Sequence, residues 1–299
     1  MLIVGAGMAG CLAGILNPKA TIIEAAPRYH ANHDAVLRFR SDAISQQIGI
    51  PFKKVIVRKG IWSGSKFLNP DIHLANNYSL KTTNLITDRS IWNLESVERW
   101  VAPSNFHEIM EEMCRSRINY GVKFNKRDAE INQEIISTIP MNKMCEIMEY
   151  ESEPGEGFHY AEIEVNRYKI AGCDVNQTVY YPNPRMPHYR ATITGDNLIV
   201  ESISSLRLQD IEDVCLSFGI TTNRLTPIKE HHKQKYGKIS PIDDLWRKNF
   251  IFWLTSNYEI FSLGRFATWR NILLDDVLKD IYQIKRMITL TEYDRWKLS

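Results

Sequence analysis

The sequence predicts an α/β chain in which a doubly wound domain, assembled from separated segments, is interleaved with a smaller strand-rich domain. Three observations predict it. The first 24 residues read strand, glycine turn, helix, strand. Residues 157–204 are dense in short alternating strands. A strand, a glycine and a helical apolar rhythm return between residues 260 and 287. That order assigns residues 1–36, 100–150 and 255–299 to the first domain, and 37–99 with 151–254 to the second.

The elements follow in turn. Leu2–Val4 is a short apolar run, residues 5–10 are the turn, and 11–16 form a short helix that Asn17-Pro18 stops. Residues 20–23 are the second strand, with Glu24 at its end. Residues 41–48 read as a helix, Ser41 its N-cap and Gly49 its stop. Residues 53–58 alternate like a strand, and 91–100 and 105–117 read as helices. The runs at 122–124 and 135–139 read as returning strands, the latter ended by Pro140. In the strand-rich block the candidates are 160–165, 178–181, 189–193 and 198–203, separated in part by Pro182-Asn183-Pro184 and Gly195-Asp196. Residues 209–218 read as a helix, 250–254 and 260–263 as strands, and 273–287 as a closing helix.

Composition narrows the classes. The chain has 299 residues, 44% hydrophobic and 24% charged, the range of an ordinary globular protein. A formal net charge of +2 supplies no global attraction for nucleic acid or an acidic membrane. Basic runs at 53–59 and 229–238, the second containing His231-His232, read as solvated surface. There is no stretch of 18 apolar residues, so no membrane-spanning helix is expected. The first strand starts at Leu2, which leaves no room for a leader; the expected location is the cytoplasm. Cys11, Cys114, Cys145, Cys173 and Cys215 are odd in number and lack CxxC spacing, so they read as reduced thiols and no metal site is expected. There is no phosphate-loop lysine motif and no nucleophile elbow.

The chemistry-bearing motif is Gly5-x-Gly7-x-x-Gly10 between a strand and a helix. Gly5 permits the tight turn, Gly7 lets backbone approach a pyrophosphate, and Gly10 lets helix and strand pack closely. The helix N-terminus offers unpaired N–H groups to phosphates. Glu24, 19 residues after Gly5, has the spacing that holds ribose hydroxyls. A dinucleotide is therefore expected on Gly5, Gly7, Met8, Ala9, Gly10, Glu24 and Ala25. Cys11, beside the turn, reads as a small packing residue.

Two further stretches carry a family resemblance. Ile135-Ile136-Ser137-Thr138-Ile139-Pro140 resembles the returning strand of amine-oxidase-type flavoproteins. The stretch Gly264-Arg265-Phe266-Ala267-Thr268-Trp269-Arg270-Asn271, continuing through Asp275 to Val277, resembles the C-terminal flavin motif of UDP-galactopyranose mutases and their amine-oxidase relatives. There a strand ends in Gly-Arg, an aromatic follows and an acid begins a helix. The resemblance covers about the first 28 residues, 135–140 and 260–281. It implies a Rossmann-like FAD-binding domain, with Pro140, Gly264, Arg265 and Trp269 near the flavin and Asp275 toward the ribityl chain. It also implies a helix N-terminus at the pyrimidine edge, where reduced flavin carries negative charge. The sequence departs from the mutases in two places. Trp269 and Asn271 stand where the mutase motif has two tyrosines, and Arg28-Tyr29-His30-Ala31-Asn32-His33 replaces the usual glycine pair after the ribose-binding acid.

The expected activity is an FAD-dependent oxidation or cleavage of a C–N bond on an amine or amino-acid-like substrate. A non-redox mutase is the alternative enzyme, and a non-catalytic flavin-binding protein the alternative class. The trimmed size is similar to phage-encoded flavoproteins, including the lyases of thymidine hypermodification. That resemblance implies an amino-acid adduct on a modified thymine as substrate, DNA as a partner, and the host cytoplasm. Catalytic candidates are His30 and His33, in a polar loop with Asn32 and Asp34, as base or substrate-positioning groups. Arg38 and Arg40 alternate with Leu37 and Phe39 and suit an anion clamp. Tyr181, with Tyr180 and Tyr189, suits stacking on a planar substrate, and Arg190 an anion anchor. A hydrogen-bonded loop, surface charge and sheet aromatics are the competing structural roles. Oligomeric state is not legible.

Overall fold

A computed structural model describes residues 1–27, 37–88, 90–131, 134–152, 154–155, 157–228 and 232–290. In chain order the elements are β1 (Leu2–Val4), α1 (Met8–Leu16), β2 (Thr21–Glu24), β3 (Arg38–Phe39), α2 (Ala43–Ile48), β4 (Lys53–Trp62), β5 (Phe67–Leu68), α3 (Ile72–Thr83), β6 (Val97–Val101), α4 (Phe106–Cys114), β7 (Ile118–Tyr120) and α5 (Lys126–Ile131). They continue with β8 (Ile135–Ser137), α6 (Met141–Met148), β9 (Tyr160–Ile170), β10 (Val175–Tyr180), β11 (His188–Gly195), β12 (Asn197–Ser202), α7 (Leu208–Phe218), β13 (Leu225–Pro227), β14 (His232–Ile239), α8 (Asp244–Tyr258), β15 (Ile260–Ser262) and α9 (Leu274–Ile288). The chain divides into two units. The first comprises residues 1–53, 100–158 and 241–299, the second 54–99 and 159–240. The α/β class, with a parallel sheet and a separate strand-rich sheet, is the one the sequence predicts.

The first unit is built on a sheet of order β15-β8-β1-β2-β7 in which every pairing is parallel. Sheets of this kind are covered on both faces, so their strands read as continuous apolar runs. Leu2-Ile3-Val4, Ile135-Ile136 and Ile260-Phe261 are such runs. Helix α1 crosses from β1 to β2 and packs on α4 and α9. Its small residues allow the close approach: a Cβ on Gly14 would press on Ile22 and lie 3.2 Å from Cys114 Sγ. Ile3, Leu12, Ile22, Phe106, Met110, Ile136, Phe261 and Ile281 fill the core.

Residues 37–53 and 241–254, together with 151–158, are expected in the other domain and fall in this first unit. Aromatic packing explains 37–53. Phe39 stacks on Phe52 at 4.8 Å, and both meet Phe106 edge-on at 5.8 and 5.3 Å. In 241–254, α8 lies against β15. The strand read at 250–254 is the middle of α8. Its five apolar residues carry no period of two, and the Asp243 carboxylate accepts the Trp246 N–H at 2.6 Å, starting a helix that runs on to Tyr258. The helix read at 91–100 is a short turn followed by β6, whose residues Trp100 and Val101 pair with Phe39 and Arg38. The strand expected at 122–124 is instead Ile118–Tyr120, closed by Gly121 at φ +73°.

The second unit's sheet runs β13-β9-β12-β11-β10 antiparallel, with β4 joining β10 in parallel and β14 pairing with β9. One face, with Val179, Ala191, Ile193, Leu198 and Val200, packs with Val214 of α7. Ile61, Val165, Tyr180 and Tyr189 pack with Ala75 and Tyr78 of α3. Helix α3 was not legible as an apolar stripe, although its ends carry signals. Asp71 caps the Leu74 N–H at 2.7 Å, and Asn84 closes the helix in the left-handed region. Among the described residues, no helix is long and apolar enough to cross a membrane, and no His, Cys, Asp and Glu side chains cluster to hold a metal.

Candidate functional site

The glycine turn after β1 is shaped by steric need. Gly5 sits at φ +98°, a conformation that favours glycine, and donates its N–H to the Ile23 carbonyl at 2.8 Å. Its missing Cβ leaves the place that the Thr138 hydroxyl fills, and that hydroxyl donates to the Val4 carbonyl at 2.8 Å. A Cβ on Gly10 would collide with the Gly5 carbonyl, so α1 approaches its own preceding turn only because residue 10 is glycine. Gly7 is the N-cap, in extended backbone and without a side-chain cap, and the first turn of α1 holds no acid. The opening N–H groups of the helix therefore have no partner within it, which is the condition for receiving an anion.

Glu24 ends β2 beside this turn. One carboxylate oxygen accepts the Ala6 N–H at 2.7 Å and the other the Ala26 N–H at 2.9 Å, spanning Ala25. Each oxygen keeps acceptor capacity for a hydroxyl. From the far end of the chain, Leu263 donates its N–H to Ser137 at 2.8 Å as β15 ends. Gly264, at φ +91°, then passes α1 so closely that its Cβ would lie 3.0 Å from that of Ala9. The structure thus brings Gly5, Gly7, Met8, Ala9, Gly10, Glu24 and Gly264 together around one helix end. Thr138 joins them without a signal of its own beyond its place after a returning strand.

The other first-unit candidates are held by contacts of their own. Pro140 caps α6 through its carbonyl, which accepts from Lys143 and Met144, each at 2.9 Å. Arg265 lies over the Phe266 ring at 5.6 Å. Trp269 is buried at φ +45° and meets Phe158 edge-on at 4.9 Å. Asp275, in the first turn of α9, accepts the Arg40 N–H at 3.1 Å and the Ser41 N–H at 3.4 Å. The Arg40 guanidinium is paired with Asp276, so the anion it grips belongs to its own chain. Arg38 pairs with Val101 through the β3–β6 backbone. His30 and His33, with Asn32 and Asp34, lie outside the described residues, as does His231.

Tyr181 and Arg190 belong to the second unit. Tyr181 is fully buried, its hydroxyl 2.6 Å from Ser217 Oγ, and burial pushes its phenol well up. Inside the core it has no surface for stacking on a substrate. Arg190 makes a two-pronged ion pair with Glu201, Nη2 to Oε1 at 2.7 Å, and Tyr189 donates its hydroxyl to the same oxygen at 3.1 Å. Burial pushes the Glu201 carboxyl up, but Arg190, Lys238 and Tyr189 outweigh it and hold it below the usual range. Arg190→Met is expected to cost about 2 kcal/mol of folding stability, since it strands a largely buried carboxylate by removing a partner that is itself 35% exposed. Urea unfolding checks this. Because Glu201 titrates lower folded than unfolded, the pair's contribution is full above the usual carboxylate value. It is lost as pH falls below that value, and the variant lacks this acid-side loss.

A second polar cluster lies here, unmarked by any motif in the sequence. The Lys81 ammonium, on α3, donates to the carbonyls of Tyr181, Asn183 and His188 at 2.8, 2.8 and 2.7 Å. The buried His188 ring lies 3.1 Å from Asp213, which also accepts from Trp62 Nε1 at 3.3 Å. These contacts tie the connection between β10 and β11 to α3 and α7.

No protein-family model and no curated protein matches the sequence. Solved structures do match the fold. A reduced UDP-galactopyranose mutase superposes with a TM-score of 0.68 at 12% identity, over 97% of this chain and 95% of that one. A fatty acid isomerase from P. acnes gives 0.58 at 12% identity, over 95% and 97%. A flavin-dependent brominase variant gives 0.52 at 14% identity, over 97% and 80%. The chain has the fold these enzymes share.

Proposed function

We propose that this chain is an FAD-dependent enzyme, an oxidoreductase acting on a C–N bond of an amine or amino-acid-like substrate. The observation that carries the cofactor is the cradle: an uncapped α1 N-terminus behind a turn that admits no Cβ at Gly5 or Gly10, with Glu24 beside it. In this reading the N–H groups of the α1 opening hold the pyrophosphate, Glu24 holds the adenosine ribose, and Gly264 keeps the approach to Ala9 open. FAD, when bound, supplies a two-electron acceptor for the substrate carbon. The fold shared with a flavin-dependent brominase and with the mutase supports a flavin over a nicotinamide.

The test is the absorption spectrum of the purified protein, with added FAD where none co-purifies. It is followed by anaerobic titration with simple amines and with a thymidine carrying an amino-acid adduct. Flavin bands that bleach with one of these establish the reading and select the substrate. A colourless protein that takes up no FAD sinks it. A second reading, a non-redox flavin isomerase, is favoured by the fold of the mutase and the fatty acid isomerase. It requires turnover that depends on prior reduction of the flavin and leaves no net oxidation.

A further inference from the structure

The Ala6 carbonyl is gripped from outside the glycine motif. Cys11 Sγ donates to it at 3.0 Å, and His107 Nε2 lies 3.0 Å away. His107 sits on α4 and is 1% exposed; Cys11 is fully buried. A carbonyl oxygen only accepts, so a hydrogen bond here requires a proton on His107 Nε2. The peptide between Ala6 and Gly7 is planar and trans, which points its N–H opposite to its C=O. Holding the carbonyl toward the buried donors therefore aims the Gly7 N–H away from them, at the open end of α1. With no Cβ at residue 7, rotation of this peptide meets little steric resistance, so a donor is needed to select one orientation. The Ala6 N–H is already committed to Glu24 at 2.7 Å.

We infer that His107 is a positioning residue for the pyrophosphate cradle: its Nε2–H holds the Ala6 carbonyl so that the Gly7 N–H faces the phosphates. The inference rests on the dinucleotide reading of the site. The test titrates ADP and adenosine into the wild type, His107→Leu and His107→Gln. His107→Leu is expected to bind ADP about tenfold more weakly, which is about 1.4 kcal/mol. Adenosine, which has the ribose and no phosphate, is expected to bind all three proteins alike. His107→Gln, which restores an N–H donor, is expected to recover most of the ADP affinity. A folded His107→Leu that binds ADP like the wild type overturns the inference and leaves the dinucleotide reading standing, as does an equal loss for ADP and adenosine. A wild type that binds neither ADP nor FAD overturns the dinucleotide reading itself. Nitrogen NMR of the labelled wild type decides the matter without the leucine variant. The resonance missing from His107→Gln must show a proton on Nε2, and a proton on Nδ1 alone overturns the inference.

Discussion

Gly10→Ala is expected to cost about 3 kcal/mol of stability, the upper part of the range for an overpacked site. It is also expected to weaken FAD binding by about a hundredfold, or ~2.7 kcal/mol. The added methyl would stand 2.9 Å from the Gly5 carbonyl carbon and closer still to its oxygen. Those atoms are backbone and have no rotamer by which to yield. Gly5 itself is held at φ +98° by its N–H bond to Ile23 and by Thr138 against its open side. To relieve the collision, α1 must tilt from β1 or the turn must unwind, and either motion displaces the N–H groups proposed to hold the phosphates. Urea unfolding and flavin titration read the two effects separately. Gly49→Ala is the control. Unlike the helical Gly10 it has a left-handed backbone, φ +73°, and open space where its Cβ would go. It should lose about 1 kcal/mol and no flavin affinity. A Gly10→Ala protein with unchanged unfolding and flavin uptake would show that the turn is looser than this geometry.

That site was legible because steric demand at a turn can be met in few ways, and glycine spacing records it. Gly5, Gly7, Gly10 and Glu24 lie within one short stretch of chain, so their meeting follows from local geometry. Gly264 was reached through family resemblance, because nothing local shows that a glycine 254 residues after Gly10 lies against Ala9. Thr138, His107 and Lys81 were not legible for a different reason. Their partners are backbone carbonyls, which every residue carries, so no complementary residue type marks the contact in sequence. Arg40 shows the converse. Its alternation with Phe39 suits an anion clamp, but its partner Asp276 lies 236 residues away in the same unit. Tyr181 and Phe250 show how composition misleads. An aromatic beside a proline reads equally as a stacking platform or as core, and an unbroken apolar run has no period to separate strand from helix.

Lys81→Met is expected to destabilise the protein by about 4 kcal/mol, because it removes the donor shared by three carbonyls while leaving them largely dry. Each buried acceptor stripped of its partner costs roughly 1–3 kcal/mol. The methionine side chain matches the lysine stem in length, so lost packing contributes little. The three carbonyls belong to Tyr181, Asn183 and His188, at the two ends and in the middle of the β10–β11 connection. The loss should therefore appear as faster hydrogen exchange there before the unit unfolds. The pH profile carries an independent signature. Burial pushes the Lys81 ammonium down to about 7, against an ordinary value of 10.5, while Asp213 pulls it back upward. Between those pH values the unfolded chain holds a proton that the folded chain has released, so wild-type stability should rise with pH across the window, a rise blunted because the neutral amine keeps only two N–H donors for the three carbonyls. It should be lowest below pH 7, where the buried charge must be kept. Lys81→Met has no proton to release, and its stability should be flat where the wild type climbs. Urea midpoints at about pH 6, 8 and 10, one below this window and two within it, test both statements at once. Parallel profiles for the two proteins would mean that the three carbonyls hold the ammonium charged through the whole range, and that its stability effect is hydrogen bonding alone.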